Sequence, residues 1–147
     1  MTTDKRTLRT ARTLPFSPAA VYGAFAAPEL LAGWWGPDGF SNTFELFEFR
    51  EGGRWHFVMH GPDGQHYPNR NRFEALQPGR RLVIRHDCAP YFTMTVELKA
   101  AGRGTRIELA QVFDDAATAQ ALAAICIPAN EQNLDRLTRV LAAHPVG

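Results

Sequence analysis

From Phe40 to Phe113 the chain alternates polar and apolar residues with little interruption, and each stretch ends in a glycine- or proline-containing turn. A period of two predicts strands near 40–50, 53–60, 66–77, 80–87, 91–100 and 104–113. The turns include Gly52-Gly53, Gly61-Pro62-Asp63-Gly64, Pro78-Gly79 and Gly102-Arg103-Gly104. Such short links make antiparallel hairpins, since a parallel crossover needs a dozen residues or more. A curved sheet of this width has an apolar face to bury, and the chain offers one long partner for it. From Asp115 to His144 the period becomes helical, with Leu122, Cys126, Ala129, Leu137, Val140 and Leu141 near one stripe and Leu134 beside it. Pro128 lies inside this run and predicts a kink or short break near 125–128.

Residues 5–14 alternate weakly and predict a first strand at a sheet edge. Ser17 suits a helix N-cap and Pro18 the first helical position, with Val21, Tyr22, Phe25 and Ala26 following at helical spacing. Pro28 starts a second short helix with Leu30, Leu31 and Trp34 on one face, and Gly36 ends it. The predicted architecture is α+β: a curved seven-stranded antiparallel sheet wrapped around a long C-terminal helix, with two short helices between strands 1 and 2. Residues 1–147 read as one domain.

Composition narrows the function. The net charge of +1 leaves no electrostatic footprint for nucleic acid or an anionic membrane. No segment approaches the ~20 apolar residues of a membrane helix, and the N-terminus lacks the apolar run of a signal peptide. Cys88 and Cys126 show no metal spacing and suit a reducing compartment, so a cytoplasmic protein is expected. There is no phosphate-binding loop or dinucleotide fingerprint, and no metal or cofactor is expected. Adjacent strand residues point to opposite faces, so His86 and Asp87 do not meet, and no base–nucleophile pair is specified.

Several motifs occur together in order: LAGWWGP at Leu31–Pro37, REGGRWHF at Arg50–Phe57, GPDG at Gly61–Gly64, Gly104-Thr105-Arg106, and NLDRLTRVL at Asn133–Leu141. As an ordered set they resemble the START-like helix-grip superfamily, which includes the birch-pollen allergen. Within it they are similar to bacterial single-domain members of the family named for the activator of the heat shock protein 90 ATPase. The family often carries Gly-Trp where this chain has Ala129-Asn130, which implies a larger or more polar pocket here. A histidine common near the end of the last strand is replaced by Gln111, with Phe113 following. The resemblance implies a small apolar or aromatic ligand held between sheet and helix. An alternative is a co-chaperone-like partner of a heat shock protein 90 homologue. A second alternative is an enzyme of the cyclase or hydrolase type using His86; no other catalytic residue is expected. A monomer or a homodimer fits equally.

Alternation assigns the wall of such a pocket. Trp55, Phe57 and Met59 share one face of their strand, and Leu82, Ile84 and His86 share one face of theirs. Phe92 and Met94 turn inward on the next strand, as do Gln111 and Phe113 on the last. Pairing Leu98 with Thr105 sets Phe92 opposite Gln111, and pairing Leu82 with Val96 sets Phe92 opposite His86. The partner of His86 on the preceding strand is then Asn71 or Arg72, depending on a four- or five-residue turn. Asn71 keeps Phe73 inward as well. These registers predict an apolar cavity with a polar row of His86, Gln111 and Asn71 at one end. Asn130 and Asn133 on the long helix either add donors or lie on a solvated face. Trp34 and Trp35 point about 100° apart, so one anchors the core and Trp35 borders the entrance.

Overall fold

The computed structural model describes residues 5–144. Its order is β1 (Thr7–Leu14), α1 (Pro18–Ala26), α2 (Pro28–Trp34), β2 (Ser41–Phe47), β3 (Arg54–His60), β4 (His66–Gln77), β5 (Arg81–His86), β6 (Phe92–Ala101), β7 (Gly104–Phe113) and α3 (Ala116–Ala143). The strands form one antiparallel sheet in the order β1-β7-β6-β5-β4-β3-β2, so β1 and β2 are its edges. This is the helix-grip arrangement.

Local chemistry explains the helix starts. Ser17 Oγ accepts the Ala20 N–H at 3.2 Å, with Pro18 in the first turn. Asp115 caps α3 by accepting the Thr118 N–H at 2.7 Å. Of the kink or short break expected near 125–128, the break does not occur, and α3 runs through Pro128. The carbonyl that loses its partner there belongs to Ala124, which is exposed, so water can satisfy it.

The second half of α3 makes the grip. Leu134, Leu137 and Leu141 are buried and join Val21 and Phe25 of α1, Trp34 of α2, and Leu82, Val96 and Ile107 of the sheet in one core. Each such side chain contributes roughly 1.5–3 kcal/mol by leaving water.

Two registers depart from simple counting. In the last hairpin Ala101 pairs with Gly104 and Leu98 with Ile107, so the loop is the two residues Gly102-Arg103. Leu98 does not pair with Thr105; that pairing would centre the turn one residue earlier, on Ala101-Gly102. Phe92 therefore stands opposite Phe113, and Gln111 opposite Met94. The inward faces survive because the slip is two residues.

The hairpin of β4 and β5 contains a bulge. Near the turn Leu76 pairs with Leu82; past a shift between Phe73 and Ala75, Phe73 pairs with Ile84 and Asn71 with His86. The pairing at the turn, extended without the shift, would set Arg72 against His86. The extra residue is Glu74, which is exposed. A matching shift between Phe44 and Leu46 leaves exposed Glu45 as the extra residue in β2. Bulges of this kind bend a strand and increase its twist. Gly53 starts the return into β3, and a Cβ there would fall on the Glu48 carbonyl oxygen, so only glycine fits.

Candidate functional site

A pocket of about 560 Å³ lies between the first half of α3 and the inner face of the sheet. Phe57 and Met59 of β3, Asn69 and Asn71 of β4, Ile84 and His86 of β5, Phe92 and Met94 of β6, and Gln111 of β7 line it from the sheet. Leu122, Ile125, Cys126, Ala129, Asn130 and Asn133 line it from α3. Trp35, Gly36, Pro37 and Phe40 close one end, and His66, Tyr67, Pro68, Ala89 and Pro90 complete the wall.

Of the side chains expected at such a site, all but Trp55, Phe73, Leu82 and Phe113 reach this wall, and these four are buried in the core. Trp55 and Phe73 stack on each other, ring centroids 5.9 Å apart. Asn71 and His86 are paired across the sheet, with Phe92 beside His86. Gln111 sits one row along, so the predicted polar row is a staggered cluster. Asn130 is buried and not on a solvated face; its amide donates to Gln111 Oε1 at 3.1 Å. Asn133 Oδ1 accepts the Gly36 N–H at 2.7 Å, which ties α3 to the tryptophan loop.

The tryptophans divide the work. Trp34 is core, and its indole N–H donates to the Ala24 carbonyl at 3.0 Å. Trp35 packs edge-on between Trp34 and Trp55, at 5.6 and 5.0 Å between centroids, and faces the pocket. Its loop is held from both sides. Asn42 donates to the Trp35 carbonyl at 2.7 Å. Arg136 donates to the carbonyls of Gly33, Trp35, Gly36, Pro37 and Phe40, at 2.7–3.4 Å. Arg136 went unrecognised in the sequence, because its acceptors are backbone oxygens that any residue carries. Burial pulls its pKa below the ordinary arginine value, and Asp38 partly restores it.

His86 is a wall residue with both ring nitrogens engaged. Nδ1 lies 2.7 Å from the Pro90 carbonyl and therefore carries a proton, so in the neutral ring Nε2 is the acceptor, and the Asn69 amide 2.8 Å away bonds it only with its NH2 end turned to the ring. Cys88 Sγ is 3.5 Å from Nε2. The ring stacks on Phe92 at 4.4 Å. As expected, Asp87 points away, toward Arg72 at 3.5 Å. Burial pushes the His86 pKa below the usual histidine value, the Pro90 carbonyl partly offsets it, and the charge on Arg85 adds to the fall. Below about pH 6.5 the unfolded chain therefore binds a proton here that the folded chain resists. Stability linked to His86 is present above that pH and is lost as pH falls toward the folded pKa. Urea unfolding from about pH 7.5 to about pH 5 should show a steeper loss for the wild type than for His86→Gln. Equal slopes would place the ring in a solvated setting.

A family model described as activator of Hsp90 ATPase homolog 1-like protein matches residues 15–142. The chain belongs to this family. The Hsp90 ATPase activator homolog 1-like fold recurs in solved structures similar to it. One is a crystal structure of a protein from Nitrosomonas europaea, 21% identical, with a TM-score of 0.88 and 97% of each chain covered. Another, from Chromobacterium violaceum, is 26% identical with a TM-score of 0.81, covering 91% of this chain and 96% of that one. A third, from Silicibacter pomeroyi, is 20% identical with a TM-score of 0.76, covering 93% of this chain and 98% of that one. No curated protein matches the chain. Among the described residues no helix is long and apolar enough to cross a membrane.

Proposed function

We propose that this protein binds a small apolar or aromatic molecule between the sheet and α3. The observation that carries the reading is the chemistry of the pocket wall: it is mainly apolar and includes no Lys, Arg, Asp or Glu. Its volume falls in the ~300–1,000 Å³ range of small-molecule sites. The engagement of both His86 nitrogens favours holding a ligand over turning one over. A partner protein would instead be expected on the sheet exterior, and stimulation of a chaperone ATPase by the purified chain would support that reading.

Native mass spectrometry of the freshly purified protein, beside its denatured mass, tests for a retained ligand. Ala129 supplies the second test. It is half-buried on the pocket side of α3. Ala129→Trp should fill the space and weaken any pocket ligand by about 100-fold or more, close to 2.7 kcal/mol, while circular dichroism stays native. Unchanged binding by a folded Ala129→Trp variant would move the ligand elsewhere.

A further inference from the structure

We infer that the ligand is uncharged and carries a hydroxyl group, which meets Asn71 on the sheet side of the pocket. This rests on the binding reading above and names the chemistry of the molecule bound. Asn71 is only 3% exposed, lines the pocket, and its Oδ1 is buried without a hydrogen-bond partner. Each of the other polar side chains nearby on the pocket wall has at least one partner, and none of their buried atoms is left unpaired. Gln111 and Asn130 bond each other, Asn133 holds Gly36, and His86 is held by Pro90 and Asn69. Across the ladder from Asn71 stands Trp55, but its indole N–H is also buried without a partner, so it does not satisfy the amide.

A buried polar group left unpaired is costly, and a group supplied by a ligand recovers that cost. An amide can present its oxygen or, after a half-turn, its nitrogen. A hydroxyl suits either end because it both donates and accepts. A carboxylate or ammonium group at the same point would be desolvated against a wall that offers no opposite charge. The surrounding Phe57, Ile84 and Met94 favour an aromatic or aliphatic skeleton behind the hydroxyl.

The test uses three probes of one skeleton: biphenyl, 4-hydroxybiphenyl and biphenyl-4-carboxylate. Each is measured by equilibrium dialysis against the full chain at neutral pH. 4-Hydroxybiphenyl should bind roughly tenfold more tightly than biphenyl, and the carboxylate no more tightly than biphenyl. Asn71→Leu should remove the hydroxyl preference, so that 4-hydroxybiphenyl and biphenyl bind with equal affinity to the variant. Asn71→Ala serves the same purpose if the leucine variant does not fold. Equal binding of all three would overturn the hydroxyl assignment while the apolar pocket stood. Tightest binding of the carboxylate would overturn the claim that the ligand is uncharged. No binding by any probe would count against the binding reading itself, and this inference would fall with it.

Discussion

Trp55→Ala should lower the unfolding free energy by about 4 kcal/mol, a large share of the stability of a small domain. Trp55 has no exposed surface and packs against Trp35, Phe44, Phe47, Phe57 and Phe73, with centroids 4.5–6.0 Å apart. Removing the indole would leave a void bounded by rigid rings on several strands, which collapse cannot easily fill. Trp55→Phe should behave quite differently. It loses volume but also removes a buried N–H that has no partner. The two effects oppose each other, and a net cost of about 1 kcal/mol is expected. Urea denaturation of both variants measures the contrast. Equal losses would mean that the indole nitrogen is satisfied in solution.

Arg136→Met should cost about 3 kcal/mol, although it removes a partly exposed residue. The guanidinium is the hub on which the chain between α2 and β2 turns, and its acceptors are backbone carbonyls on both sides of Trp35 and Pro37. Methionine keeps much of the apolar stem and leaves those oxygens without their donor. Arg136→Lys should recover little of the loss, about 1 kcal/mol or less, because a point-like ammonium cannot reproduce a planar fork reaching several carbonyls. Urea unfolding measures the stability change, and limited proteolysis should show new cleavage between Trp35 and Phe40. A lysine variant as stable as wild type would show that charge alone, without the fork, holds the loop.

Alternation revealed which residues face inward because the core demands one sign of face along each strand. That signal turns Phe57, Met59, Ile84, Phe92 and Met94 inward, the face on which they line the pocket. It carried less information about rows. The row of Gln111 is not legible because the turn can centre on Ala101-Gly102 or on Gly102-Arg103, and the resulting two-residue slip leaves every face unchanged. Asn71 and Arg72 were both open as partners of His86 because the deciding feature is the bulge at Glu74, where an ordinary polar residue gives no local sign of being extra. Asn69 was within reach of the same reasoning, since it shares parity with Asn71 and Phe73. Asn130 could have been read as inward or outward from helical spacing alone, because a polar residue on an apolar stripe has its partner, Gln111, on a distant strand.

The two bulges also settle a question of arc length. β2 and β4 flank β3, and each carries one glutamate more than the span it covers. A strand with surplus contour must bow relative to its neighbour, much as a longer outer lane makes a track curve. The width available between the sheet and α3 is therefore set partly by two residues that face water and touch nothing in the pocket. Shortening either strand by its one surplus glutamate would flatten the sheet and narrow the groove while leaving every lining side chain in its row. The capacity of this groove depends on strand length on the outside surface as well as on its lining.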